Sequence, residues 1–206
     1  MDEAIFLSLR QIDEFPECAS PVDEEYLSQF TDERRKKESI VARLELNRLA
    51  LLHAKSSLAQ LGFAKTKKGK PIIDSELHCS ISHSAGWVFV GLGSVPFGID
   101  IEQMNASEFE FLEHAYSKEE WDRVRAQPEQ AFMGFSVKEA TAKKDGTGFL
   151  TDPATIQPSK SDHVQAFHMA TIQGERFVLT VCAERCVPAD FDLPQGIHLS
   201  DFDPET

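Results

Sequence analysis

Asp100 and Glu102 stand one residue apart in Phe97-Gly98-Ile99-Asp100-Ile101-Glu102. Read as a strand, this segment sends both carboxylates to one face and Ile99 and Ile101 to the other. Carboxylates side by side repel unless something positive lies between them. A hard divalent cation such as Mg²⁺ answers that need, because it takes oxygen ligands and keeps several waters. The competing reading is the solvated polar face of an edge strand. A second group lies in Phe135-Ser136-Val137-Lys138-Glu139-Ala140-Thr141-Ala142-Lys143. On a helix, Glu139 and Lys143 are four apart and share a face, either as an ordinary surface ion pair or as part of a site. A third group, Ser80-Ile81-Ser82-His83-Ser84, follows Gly69-Lys70-Pro71. Hydroxyls, an imidazole and backbone N–H groups suit phosphate oxygens. A catalytic Ser-His pair is the rival idea, but no nucleophile-elbow sequence accompanies it.

These residues need elements to position them. Residues 4–13 read as an opening strand, and residues 20–30 as a loop with a short helical turn. Thr31-Asp32-Glu33 is a helix start. Val41, Leu44, Leu51, Leu58 and Leu61 predict one apolar face on a helix from about 33 to 61, ended by Gly62. Strands are expected at 77–82 and 87–92, turning at Ser84-Ala85-Gly86. Gly93-Ser94-Val95-Pro96 breaks the chain near its middle. A strand at 97–102 follows, then helices opening at the capping-box spacings Ser107…Glu110 and Ser117…Glu120, and a helix at about 129–145. Two last strands, 164–172 and 176–184, turn at Gly174-Glu175. The tail from Ala189 is rich in Asp, has no lysine or arginine, and reads as a loose extension. Strand, long helix and hairpin are thus followed by strand, helices and hairpin. That order predicts an α+β fold of two similar halves, 1–96 and 97–188, with an acidic tail at 189–206 and a site at the seam.

The chain has 206 residues and a net charge of −13, which disfavours nucleic acid as a partner. Positive charge is gathered in Arg34-Arg35-Lys36-Lys37 and in Lys65, Lys67, Lys68 and Lys70. Such clumping on an acidic chain suits an anionic small molecule better than solubility alone. No apolar run is long enough to span a bilayer, and the first residues are acidic, so the expectation is a cytoplasmic protein. Cys18, Cys79, Cys182 and Cys186 are scattered and read as free thiols.

Taken in order, G-K-P, S-I-S-H-S, G-I-D-I-E and F-S-V-K-E-A-x-x-K resemble the motif series of the Sfp-type 4′-phosphopantetheinyl transferases. The motifs cover roughly residues 30 to 150. The resemblance implies a pseudo-dimer of two α/β halves with coenzyme A at their seam. It also implies Mg²⁺-dependent transfer of the 4′-phosphopantetheine arm to a serine of an acyl or peptidyl carrier protein, releasing adenosine 3′,5′-bisphosphate. By matching motifs, Asp100, Glu102 and Glu139 would hold the metal, and Lys143 would meet the pyrophosphate. Ser82 and His83 would contact phosphates, while Gly69, Lys70 and Pro71 would line the adenine and 3′-phosphate region. Arg43 matches the family's helix arginine, with Arg48 as a rival. Glu139 is the expected base, directly or through a metal-bound water.

The stretch 103–125, with Phe109, Phe111, Leu112, Tyr116 and Trp121, would meet the carrier. Phe135 replaces the tryptophan of many relatives, and Lys144-Asp145-Gly146 departs from the commoner sequence after the helix. The length fits the monomeric type rather than the small trimeric synthases. Two other readings stay open: a Mg²⁺-dependent enzyme that cleaves the pyrophosphate with water, and a non-catalytic carrier-binding relative.

Overall fold

Seven alternating residues of β1 (Ile5–Gln11) place Ile5, Leu7 and Leu9 on one face, almost wholly shielded from solvent. The coordinates come from a computed structural model that describes residues 3–14, 28, 30–66, 69–74, 76–148, 151–171 and 173–202. The predicted loop at 20–30, and Lys67 and Lys68 of the basic cluster, lie largely outside those residues. The chain continues through α1 (Glu33–Leu49), the short strands β2 (Ala64–Lys65) and β3 (Pro71–Ile72), and the hairpin β4 (His78–Ser84) and β5 (Trp87–Gly93). Then come β6 (Phe97–Gln103), a 3-10 helix (Ala106–Ala115), α2 (Lys118–Val124) and α3 (Pro128–Asp145). The hairpin β7 (His163–Ala170) and β8 (Arg176–Ala183) and two short strands, β9 (Ala189–Asp192) and β10 (His198–Asp201), complete the order. The mixed helix-and-sheet class is as expected. Among the described residues no helix is long and apolar enough to cross a membrane.

Two four-stranded sheets carry the architecture, ordered β4-β5-β1-β9 and β10-β7-β8-β6. Each half repeats one plan: a first strand pairs antiparallel with the second strand of the later hairpin, β1 with β5 and β6 with β8. The first hairpin turns on Ala85-Gly86, both at positive φ (51° and 83°), the two-residue turn whose twist matches paired strands. Apolar faces of both sheets meet in a shared core that includes Leu7, Phe89, Phe97, Ile99, Ile101, Phe177 and Leu179. A second core forms where Val41, Leu46 and Leu49 of α1 cover Val88, Val90 and Leu92. A third gathers Tyr116, Trp121, Phe132 and Val178 under α3.

Two expectations are corrected. The helix predicted to reach residue 61 ends at Leu49, widens into a π turn over Ala50–Ala54, and stops where Lys55 turns left-handed. Leu51, assigned to the apolar face, is half exposed. Leu58 does reach the core, but from a turn whose N–H donates to Asn47 Oδ1 at 2.9 Å. The helical spacing persisted by coincidence of burial, not of helix.

The described part of the tail, residues 189–202, is not loose. β9 pairs parallel with β1, and β10 pairs antiparallel with β7, giving each sheet an extra edge strand. Phe191, Leu193, Ile197 and Leu199 pack on the shared core. Asp192 is bound by Arg10 (Nη2 to Oδ2, 2.6 Å) and by Arg48. Acidic composition suggested disorder, but apolar residues among the acids and two arginines elsewhere in the fold supply what ordering requires.

Candidate active site

The site grows from the line where β4 and β6 face each other. Among the described residues these strands form no backbone ladder with one another; β4 pairs with β5 and β6 with β8. Ser80, Ser82 and Ser84 leave one face of β4 at the strand period of two. Their Oγ atoms accept hydrogen bonds from the N–H groups of Ile99 (3.2 Å), Ile101 (3.3 Å) and Gln103 (3.1 Å). Two of the same hydroxyls donate onward, Ser82 to Asp100 Oδ1 (2.8 Å) and Ser84 to Glu102 Oε2 at a long 3.4 Å. The S-x-S-x-S pattern thus joins the two sheets and fixes the acidic strand in register. The sequence motif points to Ser82 and His83 as phosphate contacts and does not reveal this ladder.

Helix α3 brings in the other half of the charge. It lies directly on the backbone of β6 at Gly98, where an added Cβ would stand 2.0 Å from the Ala140 carbonyl oxygen. Only glycine permits that approach. The glycine of G-I-D-I-E is therefore a site residue by position, unrecognised at first because its role is an absent side chain. One turn on, Lys143 reaches across the seam. Its Nζ lies 2.6 Å from Asp100 Oδ1, 2.8 Å from Ser82 Oγ and 4.0 Å from Glu139 Oε2. Gly146 ends the helix left-handed (φ 70°), with its place beside the Lys70 side chain. Lys70 Nζ donates to the Lys144 carbonyl at 2.7 Å, a further tie between the halves. Lys144 itself is bound to Asp145 and Asp162, so the unusual loop sequence is anchored.

Three carboxylates and one ammonium leave surplus negative charge. Burial first, then the neighbouring Asp100, pushes the Glu102 carboxyl up to about 9. Burial also pushes Glu139 up to about 7, against the pull of Lys143 and with the repulsion of Asp100. Burial works against the Lys143 charge, but Asp100 and Glu139 outweigh it and raise its pKa. Asp100 is almost wholly buried, and its Oδ2 has no hydrogen-bond partner. A buried carboxylate oxygen left unpaired is costly, and a cation would satisfy it. Among the described residues no group of three or more His, Cys, Asp or Glu forms a ready-made metal site. The ammonium of Lys143 stands among the carboxylates instead. The donor set still fits a hard cation: it is all oxygen, over-negative and partly unsatisfied.

One cavity borders this cluster at Glu139 and Lys143, and a second adjoins the first. The first, of about 200 Å³, crosses the seam between Gly69, Lys70, Pro71 and Ser80 on one side and Glu139, Lys143 and Gly146 on the other. The second, of about 410 Å³, is lined by Arg35, Arg43, Lys65 and His83 and shares Gly69, Pro71 and Ile81 with the first. Arg43 faces it and lies over the Phe63 ring at 5.6 Å. Arg48 does not line either cavity; it is engaged by Glu45, Ser8 and Asp192. Of the aromatic stretch, Leu112, Tyr116 and Trp121 are buried, Phe109 packs on Trp121, and Phe111 is 73% exposed. Ser117 and Glu120 form the predicted capping box. The preceding 3-10 helix is capped by Asn105, not by Ser107.

Comparison with known proteins gives a family likeness. Residues 96–184 match the family model of the 4′-phosphopantetheinyl transferase superfamily. The chain is 34% identical over 91 residues to the 4′-phosphopantetheinyl transferase gsp of Aneurinibacillus migulanus, covering 42% of this chain and 38% of that protein. It is 28% identical over 163 residues to a 4′-phosphopantetheinyl transferase of Bacillus subtilis, covering 70% of each. It is 32% identical over 97 residues to the transferase Sfp of Bacillus subtilis strain 168, covering 44% and 43%. The matches thus span from about two fifths to seven tenths of these relatives' lengths. The matched segment holds β6, which carries Asp100 and Glu102, α3, which carries Glu139 and Lys143, and the hairpin β7–β8, and over that segment the chain is similar to the 4′-phosphopantetheinyl transferase superfamily.

Proposed function

We propose that this protein transfers the 4′-phosphopantetheine arm of coenzyme A to a serine of an apo acyl or peptidyl carrier protein. The observation that carries the reading is the meeting of Lys143 and Glu139 from α3 with Asp100 from β6 and Ser82 from β4, beside cavities walled by basic residues. The fold is read as a pseudo-dimer, with coenzyme A along its seam. Its 3′-phosphate end is assigned to Arg43, Arg35, Lys65 and His83, and its diphosphate to Lys70 and Lys143, the Ser82 hydroxyl being fully engaged by Asp100, Ile101 and Lys143. Gly69 and Pro71 border both cavities, which suits a flat base passing between them. A single chain supplies both walls, in keeping with a monomer acting in the cytoplasm where both substrates occur.

The carrier serine attacks the phosphorus next to pantetheine. The bond from that phosphorus to the bridging oxygen breaks, and adenosine 3′,5′-bisphosphate leaves. Glu139 takes the serine proton; a carboxyl held near 7 is suited to that task. The Lys143 ammonium meets the charge that grows on the leaving side. Asp100, Glu102 and Glu139 would hold Mg²⁺, which when bound supplies neutralisation of the diphosphate. Phe111 is exposed, as are Arg123 and Arg125 of and just beyond α2, and these residues are assigned to meeting an acidic carrier helix.

Mass spectrometry of several apo carrier proteins incubated with enzyme, coenzyme A and Mg²⁺ tests the reading. Gain of one phosphopantetheine arm on one serine is expected. Glu139→Gln should slow it at least about a hundredfold, as loss of a general base does. No gain on any carrier, with free phosphopantetheine released instead, would replace transfer by hydrolysis. Full turnover by Glu139→Gln would remove Glu139 from the base role.

A further inference from the structure

Glu38 lies on α1, outside every motif considered so far. Its side chain is 4% exposed, and a buried carboxylate needs partners. It has two. Arg34, one turn earlier, donates from Nε at 3.1 Å to Oε1. His83 Nδ1 lies 3.2 Å from Oε2. The imidazole is about half exposed and faces the cavity that Arg35, Arg43 and Lys65 make basic.

The partner of one ring nitrogen decides the state of the other. A carboxylate oxygen 3.2 Å away can only accept and repels a ring lone pair, so Nδ1 is the nitrogen that carries the proton. Nε2 is then the nitrogen presented to the cavity. We propose that Glu38 is a positioning residue: it fixes the orientation and tautomer of His83 so that Nε2 receives a phosphate oxygen of coenzyme A. This rests on the coenzyme A reading given above.

The charges around the ring come from three elements: Glu38, Arg34, Arg35 and Arg43 of α1, Lys65 of β2, and Lys143 of α3. Burial lowers the His83 pKa, Glu38 opposes that, and Lys143 and Arg35 add to it. In the free protein the ring is therefore neutral near pH 7, with its proton on Nδ1. An arriving phosphate places a second anion opposite Glu38. The imidazolium between two anions becomes favourable, so Nε2 takes a proton from solvent and donates it to the phosphate oxygen. Coenzyme A binding should take up a proton and should weaken as pH rises.

Two measurements test this. Long-range ¹H–¹⁵N NMR of the ring in the free protein should find the Nδ1–H form in wild type and a shift toward Nε2–H in Glu38→Gln, which keeps the shape of the buried side chain. Calorimetry in buffers of different ionisation enthalpy should show proton uptake with coenzyme A in wild type. Glu38→Gln should lose that uptake and bind about tenfold more weakly, the scale of one hydrogen bond to a charged group. His83→Ala should be as weak, and adding Glu38→Gln to it should cost nothing more. An Nε2–H ring in wild type overturns the proposal, as does unchanged affinity and proton uptake in Glu38→Gln. An Nδ1–H ring in a protein that binds no coenzyme A would uphold orientation by Glu38 and remove the ligand assigned to the cavity.

Discussion

Each sheet has two edges, and the molecule closes them in two different ways. Where β4 meets β6, three serine hydroxyls stand in for a backbone ladder, and carboxylates flank the join. At the far edges, β9 covers β1 and β10 covers β7 with ordinary backbone pairing, and Asp192 pins the tail to Arg10 and Arg48. The first join is tight at Gly98 and charged beyond it. The second is apolar on its core side, with Phe191 and Leu199 packed there. The difference teaches where the fold spends stability: the hydroxyl seam keeps like charges together, where the proposed chemistry would need them, and the tail edges hold the sheets by ordinary backbone pairing.

The largest effect that can break this contrast is Gly98→Ala. The new methyl group would collide with the Ala140 carbonyl, so α3 must lift off β6. We expect a loss of about 3 kcal/mol or more in chemical denaturation, the upper end for overpacking, and loss of transferase activity. A variant as stable and active as wild type would show that α3 does not depend on that approach.

pH should separate the two joins, because their signs are opposite. Glu102 and Glu139 are raised from their ordinary 4.5 to about 9 and about 7. The folded form then holds protons that the unfolded chain has released, so metal-free stability should fall as pH climbs from 4.5 through these values. Asp192 is lowered: burial opposes this, but bonds from Arg10 and Arg48 prevail. Its contribution is present above its ordinary 3.8 and is lost as pH falls through the folded value. Melting curves across pH should show both flanks, and Mg²⁺ with coenzyme A should flatten the alkaline flank only. A flat alkaline flank without metal would mean the carboxylates do not crowd.

The smallest change expected is Asp192→Ala. It removes one partly exposed carboxylate shared by two arginines, worth about 1 kcal/mol, and the acid flank should soften while kcat stays the same. A drop in kcat matching Glu139→Gln would erase the distinction between the joins.

Much of the charged cluster at the seam was legible in sequence because strand period two and helix period four are short-range rules. Asp100 and Glu102 on one face, and Glu139 with Lys143, needed nothing more. What escaped depended on partners distant in the chain. The serine ladder needs β6 beside β4, Gly98 needs α3 overhead, and Glu38 needs His83 some forty-five positions later. The tail was misread for the same reason. Its acidity is local, while Arg10, Arg48 and the edges of β1 and β7 are supplied by the folded whole. Helix α1 was overextended because Leu58 is buried, and burial at helical spacing is not proof of helix.

Mn²⁺ titration followed by electron paramagnetic resonance, with coenzyme A present, tests most directly whether the seam is a cation site. Wild type should bind one ion per chain, and Asp100→Asn, which leaves the shape of the cluster but neutralises its most buried member, should bind it far more weakly. Equal binding by Asp100→Asn and wild type would contradict the account.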